Sequence, residues 1–243
     1  WLAAAGGITV DSTELAPFTV AVVGAPSGFN SATPWSWKIV DAADALVDGY
    51  ARNKFATDTS EFTADMGGGA FIVAESGGDL YLQFLIPGIA VLGTNGATIA
   101  NGDATPATDD GTQFGNVSIG AAAVRTFSVT NTGGADLALG DVAIGGADPG
   151  DFIVMATNEA TVAAGETATF TIAYSPADLG VSSATVYLTN SIASSSPYTF
   201  ALAGTGLIAG PTNLLVQSDG YEMIRQSWNK AAASDVMVVP RAK

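Results

Sequence analysis

The chain has 243 residues, enough for one large or two modest domains, each able to bury a core. Hydrophobic residues make up 48%, charged residues only 13%, and there are 29 glycines, a balance opposite to that of disordered chains. Neither cysteine nor histidine occurs, which removes disulfides, thiolate zinc sites, the commonest general base and any Ser-His-Asp triad.

The net charge is −15, and its spread is uneven. Residues 1–88 carry 10 acids and 3 bases, 89–207 carry 10 and 1, and 208–243 carry 3 and 4. Such a field repels nucleic-acid phosphates and anionic lipid, so neither nucleic acid nor membrane is expected as a partner. The longest apolar run, Phe84 to Leu92, is broken by Pro87 and Gly88 and falls short of the roughly 20 residues a spanning helix needs. The sequence starts at Trp1, with no initiator methionine and no basic, then apolar leader. It reads as an internal piece of something longer.

Period-two alternation runs along the chain and predicts an all-β fold. Phe18, Val20 and Val22 alternate with Thr19 and Ala21; Trp37 and Ile39 alternate with Lys38 and Val40. Phe71 and Val73, then Leu80, Leu82 and Phe84, continue the pattern. Helical signals are scarce: one turn is expected within 42–50 and another within 60–66, with Ser60 as its N-cap. The Ala-rich stretch 228–235 is too short for an independent helix.

Residues 1–88 form the first expected unit. Trp35-Ser-Trp-Lys-Ile-Val40, Lys54 to Phe62, Met66-Gly-Gly-Gly-Ala-Phe-Ile-Val73 and Gly77-Gly-Asp-Leu-Tyr-Leu-Gln-Phe84 resemble the closing stretch of bacterial autotransporter-associated β-strand repeat proteins. That resemblance implies a strand-rich cap on a β-solenoid-like array, which must close the open end of a stacked core. Pro87-Gly88 marks a turn between strand groups.

Residues 89–207 carry the strongest landmarks. These are Gly111-Thr-Gln-Phe-Gly115, Thr126-Phe-Ser-Val-Thr-Asn-Thr-Gly133, Asp151-Phe152, Val162-Ala-Ala-Gly-Glu166, Phe170-Thr-Ile-Ala-Tyr-Ser-Pro176 and Tyr198 to Gly206. They resemble the choice-of-anchor D domain, related to the ASPM/SPD-2/Hydin immunoglobulin-like group. The resemblance implies an immunoglobulin-like β-sandwich from a long secreted protein. Independently, strands are expected at 117–119, 124–131, 137–144, 152–157, 160–163, 167–174, 182–190 and 197–204, the spacing a sandwich needs. Phe127, Val129, Phe170, Ile172, Val186 and Leu188 should point inward. Asn131-Thr-Gly-Gly134 and Ala164-Gly-Glu166 should supply turns.

Residues 208–243 resemble the first strands of a fibronectin type III domain, through Pro211-Thr-Asn-Leu214 and Trp228. Only 33 residues follow Gly210, which leaves a partial module or a set of donated strands.

Candidate sites are few. Asp103, Asp109, Asp110, Asp148 and Asp151 are the oxygen-rich positions for calcium, but no D-x-D-x-D-G loop is present and Asp is also an ordinary turn residue. No cofactor is otherwise expected. Trp35 and Trp37 lie two apart on one strand and share a side. Exposed, they would form a platform for a glycan; buried, they fill the core that strands 71–73 and 80–84 require. Tyr174, Tyr187 and Tyr198 read as packed edge residues, and Gly67-Gly-Gly69 as a strand connection. Some of the 23 acids will pair by chance, but no cleft is expected around them, and no enzyme activity is expected. Three roles follow: a spacer segment of a secreted cell-surface protein, held by neighbouring domains of a parent chain; a filament subunit joined to copies of itself by strand complementation through Val236, Met237, Val238 and Val239; and a glycan- or protein-binding accessory module.

Overall fold

The computed structural model describes residues 2–3, 8–9, 13–41, 47–157, 160–209, 215–218, 223–230 and 233–240; at 2–3, 8–9, 47–48, 156–157 and beyond 209 the backbone alone is described. The described elements are β-strands and short 3-10 turns, and the fold is all-β and immunoglobulin-like.

The amino-terminal strands are β1 (Leu2–Ala3), β2 (Ile8–Thr9), β3 (Phe18–Ala21), β4 (Trp35–Asp41), β5 (Val47–Asp48), β6 (Phe55–Asp58), β7 (Ala70–Ser76) and β8 (Asp79–Leu85). Three of their pairings are parallel, and each joins strands a nearly constant distance apart in sequence. Leu2 pairs with Val40, Ile8 with Val47 and Phe18 with Phe55, which are 38, 39 and 37 positions apart. The described strands of 40–58 thus lie parallel beside those of 2–21, with the offset changing by only one or two residues. Like meets like where they stack: the Phe18 and Phe55 rings meet edge to face at 6.2 Å. The antiparallel hairpin β7–β8 follows, turned by Gly77 and Gly78 at φ 62° and 88°, the left-handed conformation that a two-residue hairpin loop requires. With β4 it forms the sheet β1-β4-β8-β7. Its apolar side buries Val22, Phe71 and Phe84, packed with Phe29, Phe62, Trp35 and Trp37.

No helix forms over 60–66. The Ser60 amide instead donates to Asp58 Oδ1, and the Phe62 amide closes a turn on the Thr59 carbonyl. Phe62 is drawn into the aromatic cluster, 5.0 Å from both Phe29 and Phe71. A single turn has no cooperative advantage to set against that burial. The turn expected within 42–50 is replaced at 47–48 by β5; residues 42–46 lie outside the described ones.

The sandwich strands are β9 (Ala90–Leu92), β10 (Thr98–Ile99), β11 (Gln113–Ser118), β12 (Ala123–Thr130), β13 (Leu137–Gly145), β14 (Phe152–Thr157), β15 (Thr161–Val162), β16 (Thr167–Tyr174), β17 (Gly180–Asn190) and β18 (Tyr198–Leu207). They form two five-stranded sheets, β10-β9-β12-β16-β14 and β11-β18-β17-β13-β15. β11 starts four residues earlier than the alternation predicts, because it pairs in parallel with β18 through a register shift at Gly115, whose φ is 75°.

Phe127, Val129, Phe170, Ile172, Val186 and Leu188 all lie in the buried core, as alternation predicts. Phe127 contacts Phe170 at 5.4 Å in its own sheet and Phe200 at 5.5 Å across the sandwich. Each such ring contributes about 1.5–3 kcal/mol of burial. Tyr174 and Tyr198 are not edge residues: both are buried, and only Tyr187 lies on the outer surface. A tyrosine can enter a core when its hydroxyl finds a partner there. Tyr198 donates to the Ile99 carbonyl at 2.6 Å; Tyr174 Oη lies 3.1 Å from Ser182 Oγ, which itself donates to Asp151 Oδ2 at 2.6 Å.

Beyond the sandwich, β19 (Leu215–Ser218), β20 (Met223–Lys230) and β21 (Ala233–Pro240) pair as an antiparallel sheet in that order.

Candidate functional site: the joint before the sandwich

The segment Leu85 to Gly88 leaves β8 and enters the sandwich through the loop 131–135, and side chains there are bonded more densely than at any expected ligand position. Asn131 is fully buried. Its Nδ2 donates to the Ala135 and Val162 carbonyls at 2.8 and 2.9 Å. Its Oδ1 accepts from the Gly133 amide at 2.9 Å and from the Gly88 amide at 3.1 Å. All four hydrogen-bonding positions of the amide group are therefore used, one of them by the incoming linker.

The backbone completes the clasp. The Ile86 carbonyl accepts from the Gly134 and Ala135 amides at 2.9 and 3.2 Å, and the Thr132 amide donates to the Gly88 carbonyl at 3.3 Å. The approach is so close that only glycine fits at two places. A Cβ on Gly88 would stand 2.5 Å from Thr132 Oγ1, and one on Gly133 2.3 Å from the Ile86 carbonyl oxygen. A cleft of about 350 Å³ flanks the joint, with Arg52 and Gly68 on one wall and Gly134, Asp136 and Ala163 on the other.

The five positions expected to hold calcium all take part in hydrogen bonds within the chain. Asp103 Oδ1 accepts from the amide and the hydroxyl of Thr105, both at 2.9 Å. Asp110, only 7% exposed, holds the Thr112 amide at 2.9 Å and its hydroxyl at 2.6 Å. The Asp109 carbonyl accepts from Asn95 Nδ2. Asp148 Oδ2 takes the Ser183 amide at 2.9 Å, and Asp151 Oδ1 the Ala177 amide at 3.1 Å. The Asp103 and Asp110 carboxylates clamp turns, those of Asp148 and Asp151 hold backbone amides 35 and 26 positions away, and Asp109 bonds through its backbone carbonyl alone. Among the described residues no three acidic side chains converge.

Trp35 and Trp37 lie on one side of β4, half-buried, with indoles parallel to within 2° and 5.8 Å apart. Each is covered by a phenylalanine: Phe29 lies 5.9 Å from Trp35, and Phe71 6.1 Å from Trp37. A groove of about 570 Å³ opens between β6 and β7, lined by Phe55, Phe71, Ile72 and Val73 with Arg52 as its charged group. Val236, Met237, Val238 and Val239 lie on β21, each paired in register with β20; their side chains lie outside the described residues.

The importance of Asn131 was not read from the sequence beyond its place in a turn. The available signal was Asn followed two residues later by Gly at a strand end, the signature of an Asx turn.

No curated protein sequence matches the chain. Among solved structures, the secreted serine protease VesC from Vibrio cholerae is similar, at 17% identity over 47% of this chain and 29% of its own, with a TM-score of 0.34. The VesB protease of Vibrio cholerae shares 12% identity over 56% of this chain and 40% of its own, TM-score 0.32. A protein of unknown function from Porphyromonas gingivalis W83 shares 10% over 57% and 80%, TM-score 0.35. The chain thus spans less than a third of VesC and less than half of VesB. Residues 107–205 match the sequence model of the HYDIN/CFA65/VesB-like, Ig-like domain, a relative of the ASPM-SPD-2-Hydin group.

Proposed function

We propose that this chain is a non-enzymatic structural segment of a long secreted, cell-surface protein, in which stacked amino-terminal loops are joined stiffly to a choice-of-anchor D-type sandwich. The observation that carries the reading is the clasp at the joint. A buried asparagine with every hydrogen-bonding position satisfied, and two glycines packed backbone to backbone, resist rotation between the parts. A flexible linker would instead be exposed and free of such bonds. The parallel stacking at 37–39 residues supports a coil at the end of a solenoid-like array, as the autotransporter-associated resemblance implies. Secretion rests on the choice-of-anchor D resemblance. No cofactor belongs to this reading, and the acidic surface acts as a solubility coat.

The test is the molar mass of the 1–243 chain by light scattering after size exclusion. A monomer near 24.3 kDa is expected; a ladder or polymer would overturn the spacer role. That second outcome belongs to the filament reading, which one observation favours: β21 pairs on one side only within its sheet, and Val236 to Val239 are apolar at every position.

A further inference from the structure

The groove between β6 and β7, about 570 Å³, has the size of a small-ligand site, for which about 300–1,000 Å³ is usual. β7 is the outer strand of its sheet and β6 pairs with β3 alone, so no backbone ladder joins the two. The Thr57 hydroxyl bridges them instead, donating to the Phe71 carbonyl at 3.0 Å, and the Tyr50 hydroxyl donates to the Val73 carbonyl at 2.9 Å. The walls combine apolar Phe55, Ile72 and Val73 with polar Arg52, Asn53 and Thr57. Their charge runs against that of the chain. Residues 1–88 carry 10 acids and 3 bases, yet none of the described residues lining the groove is acidic, and one is an arginine. Arg52 is exposed and is in no ion pair among the described residues. Distant acids act weakly there, because salt at about 0.15 M screens charges beyond about 8 Å.

We infer that this groove binds an acidic sugar, a uronate unit of a glycan. The planar guanidinium of Arg52 presents parallel donors that match the two oxygens of a carboxylate. Thr57 has committed its proton to Phe71, so its hydroxyl oxygen is left as an acceptor for a sugar hydroxyl. Phe55 and Ile72 offer an apolar surface to the C–H face of the ring. A carboxylate, hydroxyls and an apolar face are together the chemistry of a uronic acid. An extended peptide suits the groove less. Adding a strand to β7 would draw on the edge carbonyls of Phe71 and Val73, and both already accept from hydroxyls of the chain. Trp35 and Trp37 make a poorer platform, because each indole is covered by a phenylalanine. The inference does not rest on the mechanical role proposed above.

Isothermal titration calorimetry on the 1–243 chain at physiological ionic strength tests it. The probes are trimers of galacturonic, glucuronic and mannuronic acid, beside the same trimers with their carboxyls reduced to alcohols. At least one acid trimer should bind, roughly tenfold or more tightly than its reduced form. Arg52→Gln changes an exposed side chain, so it should leave the melting temperature where it was while abolishing that preference. Absence of binding by all three acid trimers would overturn the inference, and so would binding indifferent to the carboxyl or to Arg52. Displacement of the trimer by an equal concentration of inorganic sulfate would reduce the site to one for simple anions. Arg52-dependent binding of a glutamate-rich peptide, with no binding of the trimers, would assign the groove to a protein partner. Either result refutes the sugar.

Discussion

Replacing Asn131 by alanine deletes four hydrogen bonds at once without altering the backbone conformations open to the loop. Two lost bonds leave the Ala135 and Val162 carbonyls facing the methyl group; the other two free the Gly88 and Gly133 amides. A hydrogen bond contributes about 0.5–1.5 kcal/mol net, and a buried group left without a partner costs about 1–3 kcal/mol. Asn131 is fully buried, so the two carbonyls take the larger figure, while the two amides, in partly buried surroundings, recover some solvation. The sum is a loss of about 3–5 kcal/mol, a large share of the roughly 5–15 kcal/mol that holds a domain folded. Thermal unfolding followed by tyrosine and tryptophan signals should show the midpoint fall by about 10 °C, given about 2–4 °C per kcal/mol in a domain of this size. Amide exchange should accelerate at Gly88, Gly134 and Ala135 beyond the change at Phe127 or Phe170. A loss below about 1 kcal/mol, or exchange raised equally everywhere, would refute the reasoning that Asn131 holds the joint.

Gly204→Ala places a Cβ 2.3 Å from Tyr174 Cε1; forcing that buried ring aside should cost about 1–3 kcal/mol in urea unfolding, and a change under about 0.5 kcal/mol would contradict the packing described. Burial pushes the Tyr198 hydroxyl above its ordinary value of 10.0. Because the folded-state value is the higher one, its stabilisation is complete below pH 10 and is lost as pH rises through the folded-state value. Wild-type melting temperature should therefore fall more steeply above pH 10 than that of Tyr198→Phe, and parallel curves would show the tyrosine has no such role. Millimolar calcium should leave the melting temperature unchanged, since Asp103, Asp110, Asp148 and Asp151 already accept intramolecular hydrogen bonds; a site occupied at a hundredfold its dissociation constant would add about 2.7 kcal/mol, readily seen in the same assay.

What could be read from the chain depended on how local the cause was. Phe127, Val129, Phe170 and Ile172 announce their inward face because side chains alternate along a strand and their neighbours Ser128, Thr169 and Thr171 are polar. Tyr174 and Tyr198 misled because a phenol looks like an edge residue until its partner is known. The Ile99 carbonyl that accepts from Tyr198 is 99 positions away, beyond any local pattern. Distance also hid the parallel stacking of the amino-terminal loops, since Phe18 and Phe55 sit 37 positions apart in stretches that share little else. At the joint, the turn formed by Asn131 and Gly133 is visible in sequence. The bond from Gly88, 43 positions earlier, is not, and that bond makes the turn a clasp. The helix expected over 60–66 failed because Phe62 gains more from the aromatic cluster than from one turn of helix.

The proposed mechanical role requires the clasp to hold the amino-terminal hairpin and the sandwich as one body. Residual dipolar couplings of backbone amides in weakly aligned 1–243 chain address it directly. A single alignment tensor should fit the amides of β7 and β8 together with those of β12, β16, β17 and β18, and Asn131→Ala should split the fit in two. Two unrelated tensors in the wild-type chain would contradict it.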